Sequence, residues 1–233
     1  MNKGTLYLIP VPIHNEEDFN IRLIPPYIVE IIDSLKFFAV ENIRTSRRFI
    51  KKLNPNFDID NTNFLIVDKR AEKETIRELV NHLLDGNDVG VMSESGCPGI
   101  ADPGQKICAL AHKHQITIKP LIGPTSIILA LMASGLNGQE FKFHGYLPIE
   151  QKDRINEINI IQKKSGAHIF IETPYRNQKV LEDLIIHLKP QNRKISIAID
   201  LTGKNEKIIT KSIYELSNNK IILEKKPTIF IFE

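Results

Sequence analysis

The chain has 233 residues, 42% hydrophobic and 25% charged, with 31 lysines and arginines against 28 aspartates and glutamates and a formal net charge of +3. That apolar content excludes a disordered chain and suffices for one large core or two modest ones, while the near balance of charge does not by itself make a nucleic-acid binder. The cysteines, Cys97 and Cys108, are too few for a disulfide framework and are not spaced for a metal site, so no metal is expected and a reducing cytoplasm is the natural setting.

The chain opens on Met1-Asn2-Lys3-Gly4 and runs straight into a β-rich segment without the apolar stretch of a signal peptide. No apolar run reaches bilayer length, so a soluble protein with no membrane association is expected. Residues 5–13 read as the first strand, and residues 35–40, 64–67 and 89–92 as the next strands. Residues 71–84 read as a helix with Ile76, Leu79, Val80, Leu83 and Leu84 on one face. A Gly/Pro-rich loop follows, then a helical stretch over 105–114. After residues 116–122 the alternation restarts with a helix over 125–133, a strand over 141–146, a helix over 152–164 and a strand over 169–171. A helix over 178–188 and strands over 195–199 and 228–232 complete it. Alternation of this kind predicts a parallel sheet with crossover helices, and its restart predicts an N-terminal α/β domain over 1–119 and a C-terminal one over 120–233.

The loop Ser93-Glu94-Ser95-Gly96-Cys97-Pro98-Gly99-Ile100-Ala101-Asp102-Pro103-Gly104 cannot continue a strand or a helix. Glycine permits backbone dihedrals closed to other residues, and proline fixes φ and removes a donor. The loop leaves the carboxyl end of a strand, which is where open α/β sheets bind ligands.

Its spelling resembles the tetrapyrrole-methylase superfamily of S-adenosylmethionine-dependent methyltransferases. Within that superfamily it is most similar to the 16S ribosomal RNA 2′-O-ribose cytidine methyltransferase branch, whose loop reads S-D-A-G-T-P-G-I-S-D-P-G; Glu94, Ser95, Cys97 and Ala101 are the departures. Further segments fall in the branch's order: Leu6-Tyr7-Leu8-Ile9-Pro10-Val11-Pro12-Ile13, Glu41-Asn42-Ile43-Arg44-Thr45-Ser46-Arg47-Arg48, Ile122-Gly123-Pro124-Thr125-Ser126 and Glu172-Thr173-Pro174-Tyr175-Arg176. The resemblance implies a two-lobed α/β fold, with a mainly parallel N-terminal sheet, a mixed C-terminal sheet and S-adenosyl-L-methionine in the cleft between. It also implies a homodimer. Carried over residue by residue, it places cofactor contacts at Ile13, Ser95, Gly96, Cys97, Ile100, Thr125, Ser126, Glu172 and Leu201.

Methyl transfer from a sulfonium is an in-line displacement in which the cofactor supplies the electrophile, so the protein contributes orientation and a suitable dielectric. A ribose hydroxyl is a poor nucleophile at neutral pH and gains from a positioned base or from cations near the developing alkoxide. The segment 41–48 resembles the branch's E-D-T-R-H-T-R-K and keeps Glu41, Arg44 and Arg47, with Asn42 replacing the second acid. Glu41 and Arg44 are three apart and can pair on a helix. Glu41, Arg44 and Arg176 are the candidate catalytic residues, with Glu172 orienting Arg176. No motif pairs Cys97 with a base, so it is not expected to act as a nucleophile.

The turn Pro10-Val11-Pro12-Ile13-His14-Asn15 lacks the glycine-rich spelling of the ring methylases, and its prolines match the branch's P-T-P-I-G-N. His14 stands where glycine is usual, as either a rim residue or a surface histidine. The branch's polar segment after the third strand is replaced by Asp68-Lys69-Arg70-Ala71, and the chain stops at Glu233, where many members continue into a small helical domain. The expected acceptor is a ribose 2′-hydroxyl of ribosomal RNA on the small subunit. A small molecule or protein side chain is the alternative, and a non-catalytic cofactor-binding homologue the third.

Overall fold

The computed structural model describes residues 2–14, 20–67, 73–102, 104–219 and 221–233, with the side chain of Lys73 left aside. Met1, Asn15, Asp68, Lys69, Arg70, Ala71 and Pro103, all named above, lie outside the described residues. The chain forms two compact units, Met1–Thr125 and Ser126–Glu233.

The first unit alternates strand and helix: β1 (Thr5–Ile9), α1 (Pro26–Ser34), β2 (Phe37–Val40), α2 (Ile43–Leu53), β3 (Asn63–Ile66), α3 (Lys73–Leu84), β4 (Val89–Met92), α4 (Gln105–Lys113) and β5 (Thr117–Pro120). Its strands pair in the order β3-β2-β4-β1-β5, all parallel. Side chains leave a strand alternately to its two faces, and the core divides accordingly. Ile9, Phe38, Val40 and Met92 pack with Ile28 and Ile32 of α1 and Ile50 of α2. Leu6, Ala39, Val89 and Val91 pack with Leu79 and Leu83 of α3 and Ile107 of α4. Connections leaving β1 and β2 therefore cross one face and those leaving β3 and β4 the other, as right-handed crossovers require. β4 lies between neighbours whose chains leave on the opposite face, which is the switch-point arrangement that opens a crevice at the carboxyl edge.

The second unit contains α5 (Ser126–Ser134), β6 (Phe141–Phe143), α6 (Gln151–Ile161), β7 (Ala167–Glu172), α7 (Asn177–Leu188), β8 (Lys194–Ile199), β9 (Lys207–Ser212), α8 (Ile213–Asn218) and β10 (Thr228–Phe232). The sheet order is β6-β7-β10-β8-β9, with β6 and β7 parallel and the other pairs antiparallel. Along β10, Ile229 and Ile231 face Ile127 and Ala130 of α5, while Phe230 and Phe232 face Ile158 of α6 and Leu181 and Leu184 of α7. A parallel sheet in one unit and a mixed sheet in the other is the α/β architecture that the sequence implies.

Three local differences have physical causes. β1 ends at Ile9 and not at Ile13, because Pro10 and Pro12 offer no N–H; the N–H of Val11 between them donates to Gly96 O at 2.9 Å. Residues 120–125, assigned above to the C-terminal domain, group with the first unit. Leu121 N donates to Leu8 O at 3.0 Å and Ile122 N to Tyr27 Oη at 2.9 Å, and a Cβ on Gly123 would stand 2.2 Å from Pro10 Cγ, so the segment is fastened to β1 past Pro120. β9 and α8 have no counterpart in the sequence reading. A Ser212–Glu215 capping box, legible as S-x-x-E, opens α8. Among the described residues no helix is long and apolar enough to cross a membrane.

Candidate functional site

In the first unit the loop after β4 is tied to both neighbouring strand ends. Toward β1, Gly96 N donates to Pro12 O at 3.4 Å, and Ser95 Oγ donates to Ile13 O at 2.8 Å. Toward β2, Glu94 N donates to Glu41 Oε1 at 3.2 Å, and Thr45 Oγ1 donates to Glu94 Oε1. The main chain needs glycine where it turns: φ is 69° at Gly96, 83° at Gly99 and 141° at Gly104. A Cβ on Gly104 would fall 2.9 Å from Gly99 N, whereas one on Gly96 would meet Pro124 O at 3.6 Å. Gly96 is thus restricted by its dihedral and not by a wall; it is buried, with its N–H and C=O taken by Pro12 and Val11, and Gly99 and Ile100 are exposed parts of the loop.

The carried-over cofactor positions of this unit gather here. Ile13, Ser95, Cys97 and Thr125 are half-buried and Ile100 is 50% exposed. Cys97 Sγ lies 3.5 Å from Pro124 O as a donor, and burial pushes its thiol pKa up. A thiol held protonated is a poor nucleophile. His14 is half-buried beside Ile13.

The segment 41–48 continues the same edge. Asn42 caps α2, its side chain accepting from Arg44 N at 2.9 Å and Thr45 N at 3.4 Å. Asn42 thus closes the helix that carries the arginines, a role that the acid it replaces also serves. Arg44 and Arg48 are exposed on one face with Lys51, and Arg47 Nη2 pairs with Asp60 Oδ1 at 3.1 Å. Glu41 spans to the loop after β4 and holds the main-chain N–H of Glu94 there, a link that the sequence reading missed and that the residue type at 94 could not signal, because the donor is backbone.

In the second unit, Ser126 opens α5, half-buried. Glu172 ends β7 and is 3% exposed. Its Oε1 accepts from Thr173 N at 2.7 Å, and its Oε2 lies 3.2 Å from Arg176 Nη2, an ion pair without the alignment of a hydrogen bond. Arg176 Nη2 also donates to Leu147 O at 2.9 Å and Pro148 O at 3.1 Å. Glu172 orients Arg176, and Arg176 ties together the loops after β6 and β7. Leu201 is 4% exposed and packs with α5.

Behind Arg176 lies a buried pair: Arg154, 1% exposed, donates from Nε to Asp183 Oδ2 at 2.7 Å and from Nη1 to Pro148 O at 3.0 Å and Ile149 O at 2.7 Å. Against Phe170 and Phe232 of the same core, His144 Nε2 and His168 Nδ1 are 3.0 Å apart, and His168 Nε2 faces Lys164 O at 3.3 Å. If His168 Nε2 donates to that carbonyl, its Nδ1 accepts from His144, and the pair is neutral. Burial first, then the charges of His168, Lys142 and Lys164, push His144 down to about 4. Burial likewise lowers His168.

Comparison with known proteins places this geometry. The sequence profile of the family described as Tetrapyrrole (Corrin/Porphyrin) Methylases matches residues 5–217. The chain is 33% identical over 215 residues to Ribosomal RNA small subunit methyltransferase I of Halalkalibacterium halodurans, covering 92% of this chain and 70% of that protein. It is 32% identical to the protein of the same name from Hydrogenobaculum sp. over 211 residues, 91% of this chain and 86% of the relative. The fold is shared with cobalt precorrin-4 methyltransferase, at TM-score 0.58 and 15% identity over 98% of this chain and 94% of that one. It is also shared with uroporphyrin-III C-methyl transferase from Thermus thermophilus complexed with S-adenyl homocysteine, at TM-score 0.55 and 15% identity over 98% and 97% of the two chains.

Proposed function

The chain belongs to the tetrapyrrole (corrin/porphyrin) methylase family, and from that premise we infer that its methyl acceptor is a ribose 2′-hydroxyl of ribosomal RNA on the small subunit. It is an S-adenosylmethionine-dependent methyltransferase, so the non-catalytic alternative is set aside. The relatives named for the small ribosomal subunit support an RNA acceptor over a small molecule or a protein side chain.

The loop after β4 fits the cofactor by its place, leaving a carboxyl edge with Gly99 and Ile100 exposed and Ser95 and Cys97 half-buried. When bound, S-adenosylmethionine supplies the methyl group on its sulfonium. The chain's own residues orient the acceptor and take up its proton. The observation that carries this reading is the bond from Glu94 N to Glu41 Oε1, which brings a carboxylate to the start of the cofactor loop. Glu41 is positioned there to accept the proton of the hydroxyl, and Arg44 on the first turn of α2 to stabilise developing negative charge.

Methyl incorporation into small ribosomal subunits tests the reading. Glu41→Gln is expected to lower kcat about 100- to 10,000-fold, the range of general-base removal, while leaving S-adenosylmethionine affinity unchanged. Full activity of Glu41→Gln would remove the base assignment, and no incorporation by the parent would remove the acceptor.

A cytoplasmic setting follows from a ribosomal substrate. A homodimer belongs to the same proposal, supported by the family resemblance and by Ile128 and Met132, 41% and 74% exposed one turn apart on α5. Light scattering that returned a monomer's mass would refute it.

A further inference from the structure

The loops that leave β6 and β7 emerge at one edge of the second sheet, because those strands are parallel. β10 runs antiparallel to β7, so residues 224–227 enter at that edge too. Exposed there are Tyr175 (86%), Ile149 (75%) and Tyr146 (53%).

An aromatic ring on a loose loop loses much of its binding energy to ordering. These loops are already ordered. Arg176 and the buried Arg154 both donate to Pro148 O, from the β7 side and from α6 respectively. Asn177 Nδ2, at the start of α7, donates to Glu224 O at 2.9 Å and Lys226 O at 3.0 Å. Ile171 N donates to Gly145 O at 3.0 Å, fixing the residue before Tyr146. The tyrosines thus stand on immobilised backbone.

Charge at this edge is mixed: Lys225 is exposed and Arg176 and Lys226 are partly so, beside the exposed Glu150 and Glu224. Exposed rings suit the π-face of an unstacked base, and cations beside them suit its phosphate. We propose that Tyr175, with Tyr146 on the adjoining loop, forms a stacking platform for an unpaired base of single-stranded RNA. The inference rests on the RNA reading and names how that RNA is held.

The test is binding of a short single-stranded RNA oligonucleotide carrying 2-aminopurine, followed by the quenching of its fluorescence at several salt concentrations. Tyr175→Ala is expected to weaken binding roughly 5- to 100-fold and to abolish the quench, by the usual effect of removing one stacked aromatic. Its slope of log affinity against log salt should match the parent's, because no phosphate contact is lost. Tyr175→Phe should bind as the parent does. Parent-like binding by Tyr175→Ala overturns the platform, as does equal loss in Tyr175→Phe, which would assign the effect to the hydroxyl. A fall in mass by light scattering in Tyr175→Ala overturns it as well, making the ring a contact between copies. Failure of the parent to bind the oligonucleotide also overturns it, while methyl incorporation into small ribosomal subunits judges the RNA reading separately.

Discussion

Ser95 Oγ donates to the carbonyl oxygen of Ile13 at 2.8 Å, across 82 positions of sequence. The contact fastens the loop after β4 to the chain leaving β1, where proline has interrupted the sheet. Beside it Val11 and Gly96 form an isolated antiparallel bridge, so the loop is held from its side chain and its main chain at once.

Gly96→Val should therefore act through the backbone. At φ 69° a β-branched residue is strained by about 1–2 kcal/mol or more, and relieving that strain moves the bridge. Calorimetry is expected to show S-adenosylmethionine affinity weakened at least about tenfold, with the circular dichroism of a folded protein. Undiminished affinity would remove the loop from the cofactor site.

Arg44→Ala and Arg47→Ala should act on RNA and not on cofactor. Each is expected to reduce the slope of log affinity against log salt by about one unit, as loss of one phosphate contact does. The Arg47–Asp60 pair is 42% and 95% exposed, so it contributes little to stability. Asp60→Ala should leave the urea midpoint unchanged and tighten RNA binding, since it frees Arg47. Parent-like RNA affinity in both arginine variants at every salt concentration would make α2 a merely solvated helix.

Asp183→Ala should destabilise strongly, because it strands the guanidinium of Arg154, 1% exposed, in the second unit. Loss of one member of a buried pair typically costs about 3–5 kcal/mol. Urea denaturation measures this, and a change within about 0.5 kcal/mol would show that Arg154 keeps its charge satisfied by Pro148 O and Ile149 O alone.

The His144–His168 pair should make stability fall in acid. Folding depresses both pKa values, so as pH drops below the ordinary 6.5 the unfolded chain binds protons that the folded chain refuses, down to about 4 for His144. Stability from this source is complete above about 6.5 and is lost progressively below it. Lys142, Lys164 and Arg193 oppose protonation further. Thermal midpoints at pH 7.5 and 5 should differ more in the parent than in His144→Gln; equal differences would assign the acid sensitivity elsewhere.

The alternation of strand and helix, the Gly/Pro loop and the apolar run of β10 are local signals, carried by neighbours along the chain, and the sequence by itself determined them. The parallel half of the fold was legible for that reason, since each crossover helix lies between the strands it joins. β9 was not: its Lys207 and Lys211 blur the apolar pattern, and it is a strand because β8 pairs with it over six positions. The pairing of Arg176 with Glu172, four positions apart, was legible in the sequence, whereas its bonds to carbonyls 28 and 29 positions away exist only in the tertiary structure. Glu41 and Glu94 are 53 positions apart, and only the order β2-β4-β1 brings them together. Residue type and short-range period are written in the chain, but a hydrogen bond between distant positions exists only once burial has selected which strands are neighbours.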